Sequence, residues 1–370
     1  MTPAFPIRTA VAERFGVETP IFGFSHSVEV TVAVCLAGGI GVYGASRDRG
    51  DDIRRIAAEI RDRVGARPFG LDLLLPQGLP ERNDRAAIEA EIPEGHRAFV
   101  RSIGDKYGVP PTTGPGRRTR FIRSREIEAE QLQAVVESDF DIFAAGIYTP
   151  ADVVHRVKAQ GRTVVSLTGS RRHALRAVDA GADIIVAQGY DAGGHTGQVG
   201  TFTLVPRVVD AVGNRAMVLA AGGVATGRHI AAALTLGAAG VWLGTAWLTT
   251  KEHNLSTLVL RKLLDAGEED TVITRADSGK PMRQLRSAWS EEWARPDAPQ
   301  PLTQPTFQDV LVGDFLGAVE AHGIEPLIKH AAGQAIGWFD RQVTVAQTMQ
   351  RLVTETKQAL ADVFERSLTV

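Results

Sequence analysis

TVVSLTGSRRHALRAVDAGADIIVAQ, residues 163–188, is the stretch that decides the fold. Residues 163–167 and 183–188 are short apolar runs of strand length. Between them, residues 171–180 form an amphipathic stretch that reads as a helix, with Ser170 placed to cap it. A strand, a helix and a strand in about 25 residues imply parallel pairing through a right-handed crossover.

The same rhythm extends in both directions. Upstream, strands are predicted at 21–25, 40–45, 69–75 and 141–146. A helix over 28–37 ends at Gly38-Gly39. Ile53, Ile56, Ala57, Ile60 and Val64 mark a second over 51–64. A third is predicted over 149–159, with Pro150 in its first turn. Downstream come a strand at 217–221, a helix over 227–236 and a last strand at 241–244. Eight strand–helix units match a (β/α)8 TIM barrel. A doubly wound sheet is the alternative, and the glycines after the seventh and eighth strands favour the barrel.

Two segments break the rhythm. Residues 76–137 are long, charged and rich in Pro and Gly, and read as an insertion after the third strand, with helical pieces near 95–107 and 126–137. From residue 254 the chain reads first as loops, then as helices, with clear helical period over 343–364. The expected organisation is a barrel over 1–253 and a mainly helical extension over 254–370. That extension is expected to cover the barrel mouth or to form a homodimer contact.

Composition excludes several classes. Of 370 residues, 44% are apolar and 23% charged, which suits a chain with a sizeable core. The net charge of −2 gives no broad surface for nucleic acid or anionic membrane. The single cysteine, Cys35, can form no internal disulfide and reads as a small core residue. A cytoplasmic setting is expected, with neither signal peptide nor membrane span. No HExxH, paired-cysteine or EF-hand pattern points to a metal.

The chemistry is expected at the C-terminal ends of the strands. The densest cluster is AQGYDAGGHTG, residues 187–197. Its glycines let the backbone approach a flat ligand, and His195 can take a proton near neutral pH. Gly222-Gly223 and Gly244-Thr245 follow the seventh and eighth strands, where these barrels often bind phosphate. His26, just past the first strand, is a second catalytic candidate. His155, His173 and His229 fall on outer helices and read as surface residues. Trp242 reads as core.

These motifs resemble the nitronate monooxygenase family, also called the 2-nitropropane dioxygenase family, whose FMN-dependent enoyl-reductase relatives share the barrel. Gln188–Gly197, Ala221–Ala225 and Leu236–Thr245 carry the likeness. Cys35-Leu36-Ala37-Gly38-Gly39-Ile40-Gly41 looks like the family's NAGGLG stretch, and Thr168-Gly169-Ser170 like its strand-five turn. Gly279-Lys280-Pro281-Met282-Arg283 is a weaker echo. The resemblance implies FMN as cofactor. Gly222, Gly223, Gly244 and Thr245 would hold its phosphate, Gln188 its edge or ribityl chain, and Gly193 and Gly194 would lie close to the ring. His195 matches the catalytic histidine. Two departures stand out. Gly23-Phe24-Ser25-His26 replaces an Ala-Pro-Met type sequence beside the flavin, and Asp72 replaces a flavin-binding asparagine.

Three functions follow as expectations. The first is oxidation of a nitronate, or of a similarly acidic carbon, with O2 and with His195 as base. The second is an FMN-dependent reductase or dehydrogenase of an acyl thioester or enone, with Arg117, Arg118 and Arg120 meeting the phosphates of coenzyme A. The third is a barrel enzyme acting on a phosphorylated ligand without flavin.

Overall fold

The computed structural model describes residues 7–368 except 113, 117 and 118. Arg117 and Arg118, two of the arginines considered for coenzyme A, therefore lie outside the described residues. Arg120 lies within them and is ion-paired to Asp48 at 2.9 Å.

Eight parallel strands close into a barrel: β1 (Ile21–Ser25), β2 (Ile40–Gly44), β3 (Phe69–Leu74), β4 (Ile142–Gly146), β5 (Thr163–Thr168), β6 (Ile184–Gln188), β7 (Met217–Ala221) and β8 (Gly240–Leu243). β8 pairs with β1, opposing Phe22 to Trp242 and Gly23 to Leu243. The TIM barrel expected from the alternation is therefore the fold.

Strand alternation sorts side chains into two layers. Phe22, Val42, Ile142, Val165, Val186 and Trp242 pack together inside the barrel. Their neighbours Leu71, Phe143 and Ile185 face the helix ring. The ring helices form where periodicity places them. Ser27 caps Val28–Leu36 by accepting from Val30 N, and Ser170 caps Arg171–Asp179 by accepting from His173 N. Pro150 stands one place earlier than expected: it is the extended cap residue of Ala151–Lys158, not part of its first turn.

The insertion after β3 is helical: Arg85–Glu91, Glu94–Tyr107 and Arg125–Glu137. The last of these belongs to the barrel ring, because Leu132, Ala134 and Val135 join the main core. Val100 and Ile103 of Glu94–Tyr107 instead pack with Trp289, Val312 and Leu316 of the C-terminal extension. The insertion and part of the extension thus share a second core. The final helix, Val345–Leu368, returns to the barrel, where Met349 and Leu352 join its core and Glu355 Oε2 accepts from Gly227 N.

A three-stranded antiparallel sheet stands outside the barrel. Met282–Leu285 lies at its centre, flanked by Thr271–Thr274 and by the two-residue strand Gly194–His195. Among the described residues no helix is long and apolar enough to cross a membrane, and no group of three or more His, Cys, Asp or Glu is placed to hold a metal.

Candidate functional site

β6 ends at Gln188, which alternation with Ile184 and Val186 turns toward the barrel interior. The chain then folds back tightly. A Cβ on Gly189 would lie 2.1 Å from Thr201 Oγ1, so only glycine fits. Thr201 heads the helix Thr201–Val212, donates its backbone N–H to Asp191 Oδ2 at 2.9 Å and its hydroxyl to Gly222 O at 3.0 Å. The loop after β6 is in this way tied to the loop after β7.

His195 is held along its backbone and at its ring. Gln188 Nε2 donates to its carbonyl at 2.7 Å. It pairs with Met282 in the outer sheet. Its Nε2 lies 3.0 Å from Ser278 Oγ. Ser278 follows Asp277, a buried carboxylate that accepts from Trp289 Nε1 at 3.0 Å and is ion-paired to Lys329. Arg283 donates through Nε and Nη2 to Tyr190 O, each at 3.2 Å, and lies over the Tyr190 ring. The extension thus fixes the loop that carries the histidine.

The glycines divide by environment. Gly194 has φ +74° and open space where a Cβ would stand. Gly193 has no such space, because the backbone of Ala332 and Gly333 lies 2.6 Å from its Cβ position. Gly333 N in turn donates to Thr245 Oγ1 at 2.9 Å, and Gln334 N to Asp191 O at 3.0 Å. Segment 332–334 therefore runs between the β6 loop and the end of β8. Thr245 keeps its hydroxyl hydrogen to donate. Gly222 and Gly223 both adopt positive φ, +95° and +72°. At Gly244 a Cβ would meet only Phe24, at 4.0 Å.

Around β1 the residues split across the strand. Phe24 turns inward, stacks on Trp242 at 5.8 Å and meets His26 edge-on at 5.2 Å. Gly23 faces outward against Val34 and Trp247, and Ser25 Oγ accepts from Ser27 N. His26 is exposed, with Nδ1 2.8 Å from Gly44 O. His26 follows β1 and His195 follows β6, two strands that are not neighbours in the barrel.

Asp72 faces the interior from β3, because Leu71 and Leu73 on either side of it belong to the outer layer. It is buried, and its Oδ2 has no hydrogen-bond partner. Burial pushes its carboxyl up to about 7, against a smaller opposing effect of Arg123. Arg123 donates to Leu74 O at 2.5 Å.

Two expectations about other residues resolve differently. Cys35 is buried, and desolvation raises its thiol to about 11, so it is core. His229 is no surface residue. Its Nδ1 accepts from Ala225 N at 3.2 Å, and its backbone N–H is capped by Thr226, so it braces the turn after β7. Ser278, Thr201 and Gly333 were not singled out in the sequence. Ser278 and Thr201 are small residues near motifs and Gly333 is near none, and small residues are too common to read.

The profile of the nitronate monooxygenase family matches residues 8–355. A Mycobacterium tuberculosis protein with a provisional monooxygenase name is 40% identical over 365 residues, covering 94% of this chain and 96% of that one. A nitronate monooxygenase of Paraburkholderia phytofirmans is 30% identical, over 93% of this chain and 92% of its own. The nitroalkane oxidase structure from Streptomyces ansochromogenes superposes with a TM-score of 0.80 at 25% identity, covering 94% and 98% of the two chains. By sequence and by fold, the chain belongs to the nitronate monooxygenase family.

Proposed function

We propose that the chain is an FMN-dependent oxidoreductase that oxidises a nitronate, or a similarly acidic carbon, with O2, using His195 as base. The observation that carries this reading is the placement of His195, fixed at the rim of the barrel beside Gly194, the one site glycine with open space on its Cβ side. The names of the similar proteins support the substrate class.

The residues present fit an FMN. Gly222, Gly223, Gly244 and Thr245 lie where these barrels take a phosphate, and Gly222 and Gly223 both hold positive φ there. Phe24, Asp72 and Gln188 face the interior from three strands, and Asp72 has an unpartnered oxygen there. Gly193 serves packing against Ala332 and Gly333, which leaves contact with the ring to Gly194. FMN supplies the electron acceptor when bound.

The protein supplies position and proton transfer. His195 takes the proton of the acidic carbon or orients a substrate already ionised. The Ser278 hydroxyl can donate to a bare Nε2 or accept from a protonated one, so this contact survives the change of charge on the ring. Oxygen consumption by the FMN-loaded protein with short alkyl nitronates tests the reading. Turnover that depends on nitronate supports it. FMN-loaded protein that consumes no oxygen with any nitronate or nitroalkane overturns the substrate class.

A further inference from the structure

Asp72 has none of the ordinary reasons to be buried. It heads no helix, and no ion pair forms on it among the described residues. Its register partners, Gly44 on β2 and Ala144 on β4, offer no polar side chain. It is 3% exposed, and Oδ2 has no partner. A polar atom buried inside a barrel without a partner points to a ligand that completes it.

We propose that Asp72 receives the imide edge of the flavin as a neutral carboxylic acid, so that FMN binding draws a proton into the barrel. This rests on the FMN reading above. The imide edge presents a carbonyl, an N–H and a second carbonyl in a row. An ionised carboxylate offers two acceptors, and only one of them can meet the N–H. The other would face a carbonyl oxygen in a dry interior, where like partial charges repel strongly. A neutral acid offers one donor and one acceptor. It satisfies the N–H and a neighbouring carbonyl together, as an asparagine amide would.

The surroundings favour the neutral form. Burial already lifts the carboxyl to about 7 against the pull of Arg123, and a bound ring shuts it off further from water. Three charged or titratable groups bear on this strand end, directly or through another. Arg123 stays charged throughout and pulls weakly the other way. His26 sits on the carbonyl of Gly44, the residue paired with Asp72. Lys280 is half-buried, and its own burial, with the charge of Arg123, holds it below its usual range.

The test is FMN titration of the chain freed of flavin, read by quenching of flavin fluorescence between about pH 7 and 9, where the FMN phosphate is already largely ionised. The expected Kd rises toward tenfold per pH unit in this window. Calorimetry in two buffers of different ionisation heat should show uptake of close to one proton near the upper end. Asp72→Asn should bind with a Kd that does not change with pH, and His26→Gln should keep the wild-type slope. A flat wild-type Kd, or a slope unchanged in Asp72→Asn, overturns the inference while leaving FMN binding intact. A slope abolished by His26→Gln assigns the proton elsewhere and overturns it too. FMN that binds neither the wild type nor Asp72→Asn overturns the cofactor reading itself.

Discussion

His195 Nε2 and Ser278 Oγ lie 3.0 Å apart, although 83 positions separate them in the chain. The contact joins the loop after β6 to the C-terminal extension, and it makes the extension part of the candidate site. His195→Asn should keep FMN bound while lowering turnover roughly 10²- to 10⁴-fold, the usual contribution of a positioned base. Ser278→Ala should cost about tenfold, the net worth of one hydrogen bond. Steady-state kinetics with flavin content measured on the same samples checks both. Wild-type turnover in His195→Asn would remove the histidine from the chemistry.

Gly193→Ala should damage the scaffold. Its new methyl would stand 2.6 Å from the backbone of Ala332 and Gly333, which cannot rotate away. A loss of about 1–3 kcal/mol is expected from such overpacking. Gly194→Ala meets nothing and should lose only about 1 kcal/mol, through its positive φ. Chemical denaturation of the two variants separates a packing role from a backbone role.

Ile147 follows β4 with φ +70°, a conformation that a β-branched residue rarely adopts. Tyr148 N donates to Gly146 O at 2.8 Å, closing a three-residue turn around it. Its side chain is 42% exposed, so little packing offsets the strain. Ile147→Gly should therefore raise stability by about 1 kcal/mol, seen as a higher melting temperature. An unchanged or lower melting temperature would show that the turn is not strained.

Asp72 should make stability depend on pH. Its folded-state carboxyl titrates near 7, above the usual unfolded value. Below about pH 4 it is protonated in both states and contributes nothing. Between about pH 4 and 7 the unfolded chain releases a proton that the folded chain keeps, so stability falls as pH rises. Above 7 the loss is complete, at most on the order of 4 kcal/mol. In flavin-free protein, Asp72→Asn should be close to wild type near pH 4 and clearly more stable near pH 8. Urea midpoints at the two pH values give the comparison.

Much of the fold is local, and for that reason it is legible in sequence. Each β–α unit announces itself by its own period, and the strands at 21–25 and 217–221 have the observed bounds. The glycines and His195 are legible because they cluster directly after strands. The support of His195 is not. Gly194–His195 is a strand of two residues whose partner, Met282–Leu285, is far away in the chain, and no periodicity exists at that length. Helix Thr201–Val212 is hidden by Pro206 in its second turn. The shared core of Val100, Ile103 and Leu316 depends on a helix of the insertion meeting a helix of the extension, which neither segment encodes alone.

The central claim is the flavin, and the visible absorption spectrum of the purified protein tests it most directly. Bands near about 370 and 450 nm, with FMN released on denaturation, are the predicted result. A colourless protein that takes up no added FMN would contradict the account.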